Sequence, residues 1–166
     1  LPNKLAVGGP SAGGNLAAAT ALMSRDKLTP KIDFQLVMVP CLDLNFETDS
    51  YNANAEGFGL TKKRMEWFWN HYLQNDNDAY NSYAAPLQEK NLSKLPPALV
   101  QTAEFDPLRD DGFKYHTRLE EAGCKSSYKN YKGMIHMFFS VPGQIAGGQQ
   151  ALNDACLALK LALAQS

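Results

Sequence analysis

Hydrophobic positions along the chain fall into two alternating regimes. A short continuous apolar run at residues 5–7 suits a strand buried on both faces, and the largely apolar stretches 32–39, stopped by Pro40, and 98–103 read as the next two strands. Elsewhere the pattern has helical spacing. Leu16, Thr20 and Met23 repeat at that spacing in an alanine-rich stretch, which predicts a helix over residues 12–25 whose small side chains let it lie close to a sheet. Tyr115, Leu119 and Ala122 mark a helix that begins near Pro107 and ends at Gly123, and Leu152, Ala155, Leu159 and Leu163 mark a last one. Residues 125–131 read as a weaker strand, with Lys125 and Lys129 as charges that protect a sheet edge, and residues 133–139 as a loop. The order strand, helix, strand, insertion, strand, helix, strand, helix predicts a parallel sheet with helices on its faces. Ligands of such sheets bind beyond the carboxyl ends of the strands.

The insertion, at about residues 41–92, is polar and aromatic. Within it Thr61 can cap a helix in which Met65, Phe68, Trp69 and Tyr72 share one face. Lys62, Lys63 and Arg64 in the first turn oppose the helix dipole, so packing of the aromatic face must hold that helix. Two readings stay open: the face packs onto the core, or some of Phe46, Tyr51, Phe58, Trp67 and Trp69 line a pocket.

A length of 166 residues, 45% of them hydrophobic, bounds this to one domain with a sizeable core. The formal net charge of -1, without blocks of like charge, offers no footprint for nucleic acid or an anionic membrane surface and leaves small neutral ligands as the expected partners. No stretch approaches the length of a membrane span. Cys41, Cys124 and Cys156 are odd in number and form no CxxC pair, so they make neither a disulfide framework nor a zinc site. All three are expected to be small buried hydrophobes in a reducing, cytoplasmic compartment. Asn91-Leu92-Ser93 has the form of a glycosylation acceptor, with no signal segment to support it.

The candidate chemistry centres on Gly9-Pro10-Ser11-Ala12-Gly13, placed between the first strand and the first helix. A serine hydroxyl needs a base within reach, and the base needs an orienting acid. Asp106 and His136 each follow a predicted strand, so the parallel sheet can bring all three residues to one end, in the chain order Ser, Asp, His. The flanking glycines keep a strained turn free of collisions, and the Ala12 N–H at the helix start can donate to a developing oxyanion. His71 and His116 lie inside predicted helices, where a surface or packing role fits better.

The stretches around Ser11, at Tyr83-Ala84-Ala85-Pro86-Leu87, at residues 95–109 with Leu-Pro-Pro-Ala-Leu-Val and Asp-Pro-Leu-Arg-Asp, and at residues 135–138 together resemble the hormone-sensitive-lipase-like family of α/β-hydrolase carboxylesterases. The resemblance implies a three-layer α/β/α fold with a mostly parallel sheet, of which this chain is the C-terminal half, a partial α/β-hydrolase domain with residues 41–92 as a cap-like segment. It implies Ser11 as nucleophile, His136 as general base, Asp106 as its orienter, and hydrolysis of short- to medium-chain esters without cofactor or metal.

Two departures matter. Pro10 stands where the family has an acidic residue, which alters local hydrogen bonding and not the turn itself. The family's His-Gly-Gly-Gly oxyanion loop, which lies upstream of the serine, does not occur in this sequence. The chain alone is therefore expected to be weakly active or inactive unless the missing N-terminal half, or a second copy pairing through the exposed edge of the first strand, completes it. The alternatives are a non-catalytic small-ligand-binding module of the same fold and an inactive fragment.

Overall fold

The computed structural model describes residues 3–141 and 143–164. Four parallel strands, β1 (Ala6–Pro10), β2 (Phe34–Met38), β3 (Ala98–Phe105) and β4 (Ser126–Ile135), form one sheet in the order β1-β2-β3-β4. The register aligns Pro10 with Met38 and Met38 with Gln101, so the carboxyl ends of the strands lie along one rim.

The helices are α1 (Ala12–Lys27), α2 (Asp49–Ala53), α3 (Lys62–Tyr72), α4 (Arg109–Glu121) and α5 (Ala146–Ala164). One face of the sheet carries α1 and α4, through a cluster that includes Ala18, Leu22, Val37, Val100, Tyr115 and Leu119. The other carries α5, through Phe34, Leu36, Leu99, Tyr131, Ala151 and Ala155. A third cluster, Cys41, Tyr51, Leu60, Met65, Trp69 and Leu108, joins α2 and α3 to the rim. No helix among the described residues is long and apolar enough to cross a membrane.

Some expectations need correction. The stripe Leu16, Thr20 and Met23 locates α1 but not its buried face, which is Ala17, Ala18, Ala21 and Leu22, while Leu16 is 56% exposed. Side chains of alanine size let α1 sit close to β1 and β2, and a leucine row would hold it away. β4 runs on through residues expected to be loop, because Glu104 of β3 accepts the Gly133 N–H at 2.7 Å and a register shift at the end of β3 absorbs the irregularity. The short helix α2 was not predicted; Thr48 caps it, its side chain accepting from the Tyr51 N–H. Cys41 is buried, but Cys124 is only partly so and Cys156 is exposed on α5. Lys125 and Lys129 do lie on or beside the outermost strand, where Lys129 pairs with Asp154.

Asp111, at the start of α4, pins the chain that leaves β2. Its Oδ2 accepts from the Leu42 N–H at 2.8 Å and the Asp43 N–H at 3.2 Å. Burial pushes its carboxyl up to about 8, against the two N–H donors, which pull it down. Folding therefore takes up a proton here between the carboxyl's ordinary range and about 8, and stability falls as pH rises through that window. Asp111→Asn keeps an acceptor and removes this titration. The difference in melting temperature between variant and parent should accordingly shift in favour of the variant from pH 4 to pH 8, by up to about 1.4 kcal/mol per pH unit in stability. A constant difference would mean that Asp111 is ionised throughout.

Candidate active site

Ser11 occupies the turn from β1 into α1 at φ 55° and ψ -118°, outside the ordinary regions for a residue with a side chain. Its N–H donates to the Met38 carbonyl at 2.8 Å, and its own carbonyl accepts from Asn15 N–H at 3.1 Å. A Cβ on Gly9 would stand 2.8 Å from the Gly13 backbone, so no side chain fits there. Gly13 itself is less constrained, with Pro10 Cδ at 3.3 Å. The tighter neighbour is Gly14, where a Cβ would meet Pro40 at 2.9 Å. Pro10 ends β1, which is one of the two edge strands among the described residues, and the turn forms with it in place.

His136 follows β4 directly, and Asp106 follows β3 directly. His136 Nδ1 lies 2.8 Å from Asp106 Oδ2, and His136 Nε2 lies 3.1 Å from Ser11 Oγ. With Nδ1–H donated to the fully buried carboxylate, Nε2 is left bare to accept from the serine hydroxyl. The second carboxylate oxygen accepts from the Leu108 N–H at 2.9 Å, which fixes the rotation of the acid. Such a line can carry a proton from the hydroxyl to the imidazole and hold the imidazolium that results. Ser11, Val39 and Met137, all with positive φ, follow β1, β2 and β4, so backbone strain gathers on this rim.

Beside Ser11 and Ala12 opens a cavity of about 340 Å³, walled by Leu16 and Asn15 of α1, by Cys41, and by Met65, Phe68, Trp69 and Tyr72 of α3. The helical stripe of α3 thus serves both readings left open by the sequence: Met65 and Trp69 are buried, while the same face fronts the cavity. Phe46 packs edge-on against Tyr51, Phe58 stacks on Phe105, and Trp67 is exposed. Burial pushes the Cys41 thiol up to about 12, so it is no competing nucleophile.

The remaining histidines are elsewhere. His71 binds the Trp67 carbonyl within α3, and His116 lies between Ser126 and Glu120. Among the described residues no group of three His, Cys, Asp or Glu side chains is arranged to hold a metal ion.

Sequence reasoning missed three polar residues near this rim. Asn15 donates to the Cys41 and Ala84 carbonyls, both at 2.8 Å, and ties α1 to the insertion. Ser50 and Asn54 reach the turn that carries Asp106. Asn15 carries a faint signal, a polar side chain within an alanine-rich helical stretch, whereas Ser50 and Asn54 lie in a polar segment where nothing in the sequence singles them out.

Residues 1–140 match the family model described as alpha/beta hydrolase fold. Carboxylic ester hydrolase LipN of Mycobacterium tuberculosis is 37% identical over 171 residues, covering 99% of this chain and 45% of that protein. An arylesterase of Saccharolobus solfataricus is 38% identical, over 84% of this chain and 46% of its own length. A thermostable esterase from Pseudomonas putida superposes with a TM-score of 0.94 at 41% identity, over 99% of this chain and 53% of that one. The carboxylesterase EstE1, cloned from a metagenomic library, does so with a TM-score of 0.94 at 35% identity, over 99% of this chain and 56% of its own. The chain spans about half the length of the curated relatives it matches. Its sheet, its helices and these matches agree: the chain belongs to the hormone-sensitive-lipase-like branch of the alpha/beta hydrolase fold family.

Proposed function

We propose that this chain carries the catalytic groups of a serine carboxylesterase, with Ser11 as nucleophile, His136 as general base and Asp106 as the group that orients it. The observation that carries this reading is the continuous line from buried Asp106 through His136 to Ser11 Oγ, with gaps of 2.8 and 3.1 Å. Ser11 Oγ attacks the ester carbonyl as His136 Nε2 takes its proton; the alcohol leaves as His136 returns that proton, and water then releases the acid by the same sequence. Ala12 N–H, in the first turn of α1 and ahead of the intrahelical hydrogen bonds, is the donor this reading assigns to the developing oxyanion.

The cavity sets the orientation of the ester. Its walls include Ser11 and Ala12 but neither His136 nor Asp106, so it lies away from the side on which the imidazole protonates the leaving alcohol. The acyl chain therefore occupies the cavity, and an apolar lining of this size suits short to medium chains. The part of residues 41–92 that holds α3 acts as a cap over that site. A binding module of the same fold would have use for the cavity and none for a hydrogen-bonded acid, imidazole and hydroxyl.

One oxyanion donor is not enough for full activity. Each missing donor typically costs about 10²- to 10³-fold in rate. β1 is the outermost strand, paired on one side only among the described residues, and its open edge is where polypeptide carrying further donors would join, as an N-terminal half or as a second copy. The 166-residue chain by itself is expected to be a slow esterase.

Turnover of a short-chain aryl ester should fall at least about a thousandfold in Ser11→Ala. Unchanged turnover in that variant would remove Ser11 from the mechanism. Leu16, half-exposed at the cavity mouth, tests the acyl assignment. Leu16→Trp should raise KM for an aryl hexanoate about tenfold and change KM for the acetate far less; equal effects on both esters would place the acyl chain elsewhere.

A further inference from the structure

We infer that Ser50 and Asn54 of the cap segment are positioning residues for the acid, holding Asp106 at the reach from His136 that proton transfer needs. This rests on the catalytic reading of Ser11, His136 and Asp106 given above. Asp106 sits on a short turn between β3 and α4, and its carboxylate is aimed by the backbone of that turn. The turn is held from outside by α2. Ser50 Oγ donates to the Pro107 carbonyl at 2.7 Å and accepts from the Asp110 N–H at 3.2 Å. Asp110 Oδ2 in return accepts from the Ser50 N–H at 2.8 Å, in the first turn of α2. Asn54 Nδ2 donates to the carbonyl of Asp106 itself at 3.3 Å.

Ser50 is fully buried, Asn54 nearly so, and Asp106 fully buried, so these bonds compete with no water; loss of the Ser50 bond leaves the Pro107 carbonyl unpaired, and loss of the Asn54 bond leaves the Asp106 carbonyl with the Arg109 N–H at 3.1 Å alone. The cap reaches across more than 50 residues of chain to make them. It is also one block with the cavity wall. Tyr51, next to Ser50, packs in the same cluster as Met65 and Trp69, and the Lys62 N–H at the start of α3 donates to the Ala55 carbonyl at 3.0 Å. The segment that contacts the acyl chain and the segment that aims the acid are therefore one packed unit, and a displacement of either moves the other. An ångström of misplacement at reacting groups can cost about a hundredfold in rate.

The test compares Asn54→Ala, Ser50→Ala and the conservative Ser50→Thr in the active esterase, whether that is this chain alone or the chain with its complementing half. Positioning predicts a fall in kcat of about 10- to 100-fold for the alanine variants, with KM for an aryl butyrate nearly unchanged, and recovery of kcat in Ser50→Thr. It also predicts that the low-field proton resonance of the His136 Nδ1–H, shared with Asp106, broadens or moves in the alanine variants and returns in Ser50→Thr. That resonance is read without turnover, so it judges the positioning role even if Ser11→Ala refutes the nucleophile. Alanine variants that lose thermal stability but keep both the resonance and kcat would overturn the inference, leaving α2 as structural support only.

Discussion

The structure depends on how closely α1 approaches the sheet. Gly9 has the backbone of Gly13 2.8 Å from where its own Cβ would be, and Gly14 has Pro40 at 2.9 Å. With that seam closed, the chain has no relaxed way to pass from β1 into α1, and Ser11 takes the strain. The Ser11 N–H bond to Met38 and the alanine face of α1 hold the turn against it. The hydroxyl is then presented at the rim of the sheet, where the ends of β3 and β4 deliver a carboxylate and an imidazole.

That delivery is a property of parallel strands. Each of β1, β3 and β4 ends at the same side of the sheet, so residues separated by 125 positions in sequence stand 3.1 Å apart. No loop has to be long or mobile to bring them together. The price is that the acid is carried on a short turn of its own, and α2 braces that turn from outside, through Ser50 on the Pro107 carbonyl and Asn54 on the Asp106 carbonyl.

Much of this was legible in the sequence. Apolar runs located the strands, and Ala-rich and aromatic spacing located α1 and α3. Ser11, Asp106 and His136 were singled out from their placement after strands, and the structure brings them within hydrogen-bond distance of one another. The face of α1 was misread because spacing weighs a leucine above an alanine, whereas packing against a sheet rewards the smaller side chain. The length of β4 was misread because Gly133 looks like loop until Glu104 is known to accept its N–H.

What the sequence by itself determined is the order of the strands with the helices that connect them, and three candidates for chemistry, since both follow from local pattern and covalent order. Only the tertiary structure decided that the stripe of α3 fronts a cavity beside Ser11, that Asp111 reaches back to Leu42 and Asp43, and that Ser50 and Asn54 grip the turn of Asp106. Those are contacts between segments far apart in the chain. Their energies exist only once desolvation has made each unpaired buried group costly, and no local pattern carries that information.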